Sequence, residues 1–201
     1  TQWKENGQLK GREYIVKTIV TTELISAIAA HFNVPCLDTL TGFKYIAEKI
    51  RLLESTQTFI GGGEESYGYL IGDKVRDKDA VMSCAMIAEL TAWAKGKNKT
   101  LFDLLLDIWI KFGLYHEGLI SITKKGKAGA LEIQEIMNKL RNNPPIFLND
   151  FLVTEIIDYS NLTHLETKTK KILPLDSHKS NVLQFITEDG SRVSIRPSGT
   201  E

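Results

Sequence analysis

Three short polar stretches of this 201-residue chain carry side chains that suit ligand binding. The first, GGGEESYG at residues 61–68, lies near the start of the longer stretch FIGGGEESYGYLIGDKVRDKDAVM at 59–82 and places three glycines before two glutamates. Glu64 and Ser66 lie two residues apart, so an extended backbone would point both side chains in the same direction. A carboxylate beside a hydroxyl can accept and donate hydrogen bonds to vicinal sugar hydroxyls. A solvated turn with surface carboxylates is the alternative that this spacing leaves open.

The second stretch, RDKDA at residues 76–80, lies where an apolar helix is predicted to begin. Asp79 has the side chain of an N-cap, and this structural role alone explains it. Lys78 has no such explanation, because the helix dipole disfavours a cation at a helix N-terminus. An anionic ligand or a carboxylate partner would relieve this conflict, so Lys78 is a candidate for ligand contact.

The third stretch, RPSGTE at residues 196–201, follows a predicted strand. Its guanidinium, two hydroxyls and backbone N–H groups together suit a phosphate group. The candidate phosphate-binding residues are Arg196, Ser198, Gly199 and Thr200. A polar turn without a ligand is the alternative. A nucleotide-binding loop is disfavoured, because the glycine-rich stretch has neither Gly-Lys-Ser/Thr nor a full G-x-G-x-x-G.

The elements around the first two stretches alternate between strands and helices. Runs of β-branched and apolar residues predict strands at residues 14–20, 34–37 and 58–60. Helical spacing of apolar residues predicts helices capped by Thr22, by Thr41 and by a Thr100–Asp103 capping box, and a further helix at 80–95. The helix at 80–95 is apolar nearly all round, which predicts burial on most sides. The alternation indicates a mainly parallel sheet whose strands carry ligands at their carboxyl ends, where the predicted glycine loop after Ile60 lies.

The sequence changes character near residue 115, where we place a domain boundary. Residues 131–140 predict an amphipathic helix that the prolines at 144 and 145 stop. Strands are predicted at 151–159, 168–173 and 181–187, and Asp189-Gly190 is typical of a two-residue hairpin turn. We therefore expect an α/β domain at residues 1–115, with a mainly parallel sheet and flanking helices. A smaller α+β domain with an antiparallel sheet is expected at residues 116–201.

Bulk composition narrows the class of protein. Lys and Arg number 25, as do Asp and Glu, so the net charge is zero and we expect no nucleic-acid or membrane partner. No stretch approaches the ~20 apolar residues that cross a bilayer, and nothing resembles a signal peptide, which favours a cytoplasmic protein. Cys36 and Cys84 are expected to be buried free thiols rather than a disulfide. The four histidines lack the spacing of metal ligands, so no metal site is expected.

Three stretches in this order resemble the α-D-phosphohexomutase superfamily, and its phosphoglucomutase/phosphomannomutase branch in particular. They are TLTGFKYIAEKI at 39–50, FIGGGEESYGYLIGDKVRDKDA at 59–80 and EDGSRVSIRPSGTE at 188–201. The resemblance covers nearly the whole chain and corresponds to the third domain, incomplete at its start, and most of the fourth. Since the chain begins without Met and stops directly after Gly-Thr-Glu, we expect a fragment of a longer protein.

The resemblance implies a reaction and its cofactors. A phosphoserine donates its phosphoryl group to a hexose monophosphate, and the resulting 1,6-bisphosphate turns over before the other phosphate returns to the serine. Mg²⁺ and glucose 1,6-bisphosphate would serve the full-length parent, and this fragment alone is expected to bind neither. The family's T-A-S-H-N-P phosphoserine loop and D-G-D-x-D-R metal loop are absent from the sequence. We therefore expect the fragment to be inactive and to hold no catalytic residue.

The resemblance also implies binding roles for the residues that match the family's motifs. The implied sugar-binding residues are Glu64, Ser66, Thr41, Gly42 and Lys78. The implied phosphate-binding residues are Arg196, Ser198, Gly199 and Thr200, in a loop that grips the non-reacting phosphate. The expected partners are a hexose phosphate substrate and the missing N-terminal domains of the same chain.

Two alternatives stay open. Phosphoglucosamine mutase and phosphopentomutase belong to the same superfamily, although the RDKD segment and the context of Tyr67 and Gly68 favour the glucose/mannose branch. A non-catalytic sugar-phosphate-binding module is the alternative from another class, and it would be favoured if the parent encoded no serine or metal loop.

Overall fold

The computed structural model describes residues 2–197, which form two compact units. The first unit ends at Gly118 and the second begins at Leu119. The first contains α1 (Gln2–Glu5), β1 (Glu13–Thr18), α2 (Leu24–His31), β2 (Cys36–Thr39), α3 (Phe43–Leu53), β3 (Thr58–Glu64), β4 (Gly68–Ile71), α4 (Ala80–Gly96) and α5 (Leu101–Phe112). The second contains α6 (Gly126–Asn142), β5 (Phe147–Leu148), β6 (Phe151–Asp158), β7 (Thr163–Glu166), β8 (Lys171–Pro174), β9 (Leu183–Thr187) and β10 (Arg192–Ile195).

The sheet of the first unit is mainly parallel. Its strand order is β2-β1-β3-β4, in which β1 pairs in parallel with β2 and β3, while β4 runs antiparallel to β3. The second unit has an antiparallel sheet of order β10-β9-β6-β7-β8, and β5 pairs with β6 beside it. The predicted fold class, an α/β domain followed by a smaller α+β domain, is confirmed. We retain the boundary near residue 115 as a proposal.

Each unit has its own apolar core. The core of the first unit consists of Tyr14, Val16, Phe43, Ile46, Ile50, Phe59 and Leu70. Its three members from α3 repeat at the spacing of one helix face, so this face lies on the sheet. The core of the second unit consists of Met137, Val153, Leu183 and Phe185. Burying a large apolar side chain stabilises a fold by ~1.5–3 kcal/mol, so these cores fix the sheets in place.

The glycine-rich stretch lies within a strand, which corrects the predicted loop. β3 continues through residues 61–63 and pairs with β4, a strand that the sequence analysis missed. A Cβ on Gly62 would lie 2.5 Å from the carbonyl oxygen of Val16. A Cβ on Gly63 would lie 2.7 Å from the ring of Tyr69. These glycines therefore serve close packing between strands, and a side chain at either position would force its neighbours to shift.

Two predicted helix caps are confirmed. The Asp79 carboxylate accepts a hydrogen bond from the Met82 N–H at 3.0 Å, at the start of α4. Thr100 and Asp103 form the predicted capping box before α5, in which each side chain accepts the other's backbone N–H. A cap of this kind stabilises a helix by ~1 kcal/mol.

Two other predicted caps are wrong. The N-cap of α2 is Glu23 and the N-cap of α3 is Gly42, and neither makes a side-chain capping bond. Thr22 lies one residue before the N-cap of α2, and its hydroxyl accepts the Leu24 N–H at 3.1 Å. The Thr41 hydroxyl donates to Glu65 instead, because a carboxylate from a distant part of the sequence lies beside it.

Helix α4 is far more exposed than its composition predicted. Val81 is 80% exposed and Ile87 is 53% exposed, and among the described residues of α4 Ala94 alone is buried. The helix packs against β4 and α5 and leaves its remaining surface open. The apolar composition of a helix does not by itself determine its burial, because burial also requires neighbouring elements that cover the helix. None of the helices within residues 2–197 is both long and apolar enough to cross a membrane.

The second unit contains strands that were missed and a turn that differs from its prediction. The predicted strands became β6, β8 and β9, while β5 and β7 were not predicted. The hairpin between β9 and β10 is confirmed, but its turn has three residues, since the Thr187 N–H donates to the Ser191 carbonyl at 2.9 Å. Gly190 in this turn has a φ of 85°, which glycine adopts without strain.

Both cysteines are free thiols, but only one is shielded from solvent. Cys36 on β2 is half-buried, and burial raises the pKa of its thiol. The Ser26 hydroxyl donates to the Cys36 sulfur at 3.7 Å. Cys84 on α4 is exposed, contrary to its predicted burial, as are most residues of that helix.

Candidate functional site

Three parallel strands end at one edge of the first sheet, which we call the carboxyl edge. β1 ends at Thr18, β2 ends at Thr39 and β3 ends at Glu64. Thr18 and Thr39 are register partners, so the two strands stop side by side. The loop at residues 40–42 and the connection at 65–67 both leave this edge. Two of the stretches predicted to bind ligand therefore meet where ligands bind in such sheets.

A three-residue turn joins β3 to β4 at the carboxyl edge, and we call it the β3–β4 turn. Glu64 pairs with Gly68, which leaves Glu65, Ser66 and Tyr67 in the turn. Ser66 and Tyr67 are both exposed, and Tyr67 has a left-handed φ of 62°. A side chain in that region meets steric resistance from its own backbone. Contacts elsewhere must therefore hold the turn in this conformation.

Glu64 and Lys78 form a loose ion pair beside this turn. Glu64 is 7% exposed, and its Oε1 lies 3.9 Å from the Nζ of Lys78. The same ammonium lies 3.4 Å from Oδ1 of Asp77 and 5.4 Å from the centroid of the Phe43 ring. Carboxylate partners thus relieve the conflict between Lys78 and the helix dipole. The Lys78 side chain is half exposed, so its ammonium can still reach an anionic ligand.

The segment before α4 is held against β4. The Asp79 N–H donates to the Tyr69 carbonyl at 2.8 Å. The Asp77 carboxylate accepts the Lys78 N–H at 2.7 Å, and this backbone hydrogen bond lowers the pKa of Asp77. The stem of Lys78 passes over Gly68, where a Cβ would lie 2.5 Å from the Cδ of the lysine. Gly68 therefore provides the space through which Lys78 approaches the turn.

Glu65 is the best anchored side chain of the β3–β4 turn. Its Oε2 accepts a hydrogen bond of 2.7 Å from the Thr18 hydroxyl at the end of β1. Its Oε1 accepts a weaker one of 3.4 Å from the Thr41 hydroxyl. The Thr18 and Thr21 hydroxyls lie 2.9 Å apart. Neither Glu65 nor Thr18 was predicted as a site residue. Thr18 ends β1, whereas the predicted strand ran on to residue 20, so its place at the carboxyl edge gave no sequence signal.

A buried lysine lies directly under this network and was also missed. Lys17 is fully buried, and its Nζ lies 2.8 Å from Oδ1 of Asp38 and 3.0 Å from Oε1 of Glu23. The carbonyl oxygens of Thr18 and Thr21 each lie 3.5 Å from the same atom. A buried charge is tolerated only when it is paired and hydrogen-bonded, and here two carboxylates satisfy that need. A lysine within a strand of β-branched residues was the sequence signal.

Gly42 gives the loop after β2 its direction. It has φ and ψ angles of 121° and 124°, a combination that side chains rarely allow. The chain turns there into α3, which leaves the preceding Thr41 hydroxyl facing Glu65. The structure therefore places Thr41 at the carboxyl edge as the sequence predicted, although its partner is a protein carboxylate.

The predicted phosphate-binding residues belong to the second unit. Arg196 directly follows β10 and is exposed. Ser198, Gly199 and Thr200 lie outside the described residues. The residues predicted to bind sugar all lie in the first unit.

Residues 1–112 match the family model described as phosphoglucomutase/phosphomannomutase, alpha/beta/alpha domain III. The chain belongs to this family. The matched range contains the whole first sheet together with the carboxyl edge. The resemblance to the phosphohexomutase superfamily is therefore confirmed, including the assignment of the first unit to the third domain.

Relatives of this phosphoglucomutase/phosphomannomutase chain extend the similarity over both units. Phosphoglucomutases of Staphylococcus aureus strains USA300 and N315 are each 38% identical to it over 200 residues. These matches cover 98% of the chain and 36% of each relative, so the chain spans about a third of their length. The solved open form of the Paramecium phosphoprotein pp63/parafusin, a phosphoglucomutase, has a TM-score of 0.57 at 19% identity. It covers 94% of this chain and 31% of parafusin, and this likeness shows a shared fold.

Membership of the phosphoglucomutase family implies Mg²⁺ for a full-length parent, but the described residues do not fit a site for it. Residues 2–197 hold no group of three or more His, Cys, Asp or Glu side chains placed to bind a metal. Mg²⁺ requires several oxygen ligands in octahedral geometry. The two glutamates at the carboxyl edge are engaged otherwise, Glu64 with Lys78 and Glu65 with Thr18.

Proposed function

We propose that this chain is the substrate-recognition half of a phosphohexomutase whose parent interconverts hexose 1-phosphate and hexose 6-phosphate. One observation carries the proposal. A chain of this family presents Glu64 and the exposed Ser66 at the carboxyl edge of its parallel sheet, where ligands bind in such folds.

In this proposal the carboxyl edge binds the sugar. Glu64 accepts hydrogen bonds from ring hydroxyls, and the Ser66 hydroxyl can both donate and accept. Lys78 supplies a cation 3.9 Å from Glu64, which suits the phosphorylated end of the ligand. Thr41 and Gly42 line the same edge. Their position supports this role, because the Thr41 hydroxyl lies 3.4 Å from Glu65 in the β3–β4 turn.

The second unit contributes the phosphate site in this proposal. Arg196 presents an exposed guanidinium after β10, and a guanidinium binds phosphate in two parallel hydrogen bonds. The neighbouring Ser198, Gly199 and Thr200 add hydroxyl and backbone N–H donors. In this proposal sugar recognition lies before residue 115 and phosphate recognition lies after it.

We further propose that the chemistry of the parent takes place on residues outside this sequence. A phosphoserine would donate its phosphoryl group to the bound hexose phosphate, and the 1,6-bisphosphate formed would return its other phosphate to the serine. The chain supplies orientation and positive charge, which are the main contributions of protein side chains to phosphoryl transfer. We expect no turnover from the 201-residue chain alone. The parent would act in the cytoplasm.

A titration of the ¹⁵N-labelled chain with glucose 1-phosphate at millimolar concentration tests the binding part. We expect amide shifts at Glu64, Ser66 and the residues around Arg196, with saturation. The variant Glu64→Ala should weaken binding by about tenfold, the factor lost with one hydrogen bond to a charged group. The control Glu89→Ala removes an exposed glutamate of α4 and should bind as the wild type does.

Three results would contradict or redirect the proposal. An absence of shifts at all three positions would reject sugar-phosphate recognition by this chain. Equal binding of free inorganic phosphate would reject recognition of the sugar. Tighter binding of glucosamine 1-phosphate or ribose 1-phosphate would assign the parent to the phosphoglucosamine mutase or phosphopentomutase branch.

A further inference from the structure

Glu65 lies between Glu64 and Ser66, the two residues proposed to bind the sugar, and the proposed function gives it no direct contact with the sugar. We propose that Glu65 is a brace: the Thr18 and Thr41 hydroxyls hold its carboxylate and thereby fix the backbone that presents Glu64 and Ser66. Thr18 and Glu65 are thus positioning residues for sugar recognition, an inference that rests on the proposed function.

The contacts of the Glu65 carboxylate favour a mechanical role. Each of its two oxygens accepts a hydroxyl, at 2.7 Å from Thr18 and at 3.4 Å from Thr41. The shorter contact has the length of a charge-assisted hydrogen bond, which is stronger than one between neutral groups. Thr18 ends β1 and Thr41 follows β2, so the two donors tie the β3–β4 turn to the adjacent strand β1 and to the loop after β2.

The β3–β4 turn needs such a tie. Ser66 is exposed, and Tyr67 is 89% exposed, so neither is held by packing. Tyr67 also has the left-handed φ of 62°, which a non-glycine residue leaves when nothing enforces it. Glu65 is the residue of the turn whose side chain reaches back to the sheet.

Thr18, which holds the Glu65 carboxylate, is itself fixed in position. Thr18 is fully buried, and its hydroxyl also lies 2.9 Å from that of Thr21. The buried Lys17 ammonium lies 3.5 Å from the carbonyl oxygens of both threonines. Asp38 and Glu23 balance its charge. The Thr18 hydroxyl therefore has a fixed position from which to hold the turn.

Substitutions at both ends of the brace test the proposal. Thr18→Val removes the hydroxyl that donates the hydrogen bond and keeps the shape of the side chain, whereas Thr18→Ser keeps this hydroxyl. Glu65→Ala removes the carboxylate that accepts the hydrogen bond, at an exposed position. Thr39→Val is the matched control, because Thr39 is a buried threonine at the end of the adjacent strand whose hydroxyl donates to a backbone carbonyl. Tryptophan fluorescence during urea unfolding checks that each variant folds, since all three tryptophans lie in the first unit.

The first readout is the order of the turn in the ligand-free chain, measured by ¹⁵N relaxation of the Ser66 and Tyr67 amides. The second is the affinity for glucose 1-phosphate. We expect Thr18→Val and Glu65→Ala to increase fast motion in the turn. Binding should weaken by about tenfold, because the ligand must then order a turn that the wild type already holds in place. Thr18→Ser and Thr39→Val should match the wild type in both readouts.

The two readouts separate the inference from the function on which it rests. If the wild-type chain does not bind the sugar phosphate, the proposed function fails. The order of the Ser66 and Tyr67 amides in the variants still shows whether Glu65 acts as a brace. Unchanged turn order in Thr18→Val and Glu65→Ala would overturn the brace. A looser turn with unchanged affinity would overturn its role in recognition. Equal losses in Thr39→Val would show a general effect on the sheet and would also overturn it.

Discussion

At the scale of single residues, the carboxylates of the first unit are distinguished by the donors around them. Glu64 faces an ammonium, Glu65 accepts two hydroxyls, and Glu13 accepts backbone N–H groups. The Glu13 carboxylate receives the N–H groups of residues 10–12 at 2.9–3.1 Å. The hydrogen bond from Lys10 is the largest cause that lowers the pKa of Glu13. This carboxylate therefore holds the backbone of residues 10–12 in place directly before β1.

The lowered pKa of Glu13 makes the stability of the first unit dependent on pH. A carboxyl with a lower pKa in the folded state stabilises the fold above its unfolded pKa, and this contribution is lost as pH falls through the folded pKa. We expect the free energy of unfolding to fall between about pH 5 and pH 3, more steeply in the wild type than in Glu13→Gln. Urea unfolding followed by tryptophan fluorescence at several pH values measures both slopes. Equal slopes of unfolding free energy against pH in the wild type and Glu13→Gln would contradict the prediction. The control Glu89→Gln removes an exposed carboxylate of α4 and should leave the wild-type slope unchanged.

Several single residues could be predicted because their partners are close in sequence. The N-cap role of Asp79 and the Thr100–Asp103 box involve residues three positions apart, and such bonds follow from local backbone geometry. The role of Thr41 was mistaken because its partner, Glu65, lies 24 residues away. Distant partners of this kind depend on strand order, which a cap motif does not encode.

At the scale of elements, the contact between β1 and β3 depends on the absence of side chains. The register shifts between Tyr14 and Ile15, opposite the start of the glycines. The parallel direction of β1, β2 and β3 followed from the alternation of strands and helices, which is a strong pattern. The antiparallel β4 could not be predicted in the same way, because its four residues follow three turn residues and glycines that read as a loop.

Gly62→Ala should weaken this contact between β1 and β3. The new Cβ would lie 2.5 Å from the Val16 carbonyl oxygen, which is backbone and cannot rotate away. We expect a loss of roughly 1–3 kcal/mol in the free energy of unfolding, as for other overpacked sites. Tryptophan fluorescence in urea measures it. Gly96→Ala at the end of α4 has open space around the new Cβ and should cost nothing; equal effects of both variants would reject the packing explanation.

At the scale of the whole molecule, the first unit has an extensive apolar surface on α4 and α5. Exposed members include Val81, Met82, Ile87, Leu101, Phe102 and Ile110. The mistaken prediction that α4 is buried came from this same composition. Exposed apolar side chains of this size promote association in water. The chain also has no net charge at pH 7, so charge repulsion opposes association least there.

We therefore expect the purified chain to bind an apolar fluorescent dye and to self-associate most strongly near pH 7. The double substitution Val81→Lys and Ile87→Lys should reduce both, because it places two cations on α4. Dye fluorescence and sedimentation velocity measure the two effects. Lys44→Ala and Lys49→Ala, on α3, form a control that changes charge away from α4. A dye signal that the double lysine variant leaves unchanged would place the apolar surface elsewhere.

The unequal exposure of the two thiols makes the chain suitable for chemical labelling without prior mutagenesis. Cys84 is open on α4, whereas Cys36 is half-buried and burial raises the pKa of its thiol. Because the thiolate is the reactive form, a maleimide reagent at neutral pH reacts first at Cys84. A single dye at that position would report on whatever approaches α4, while the carboxyl edge of the sheet stays chemically untouched.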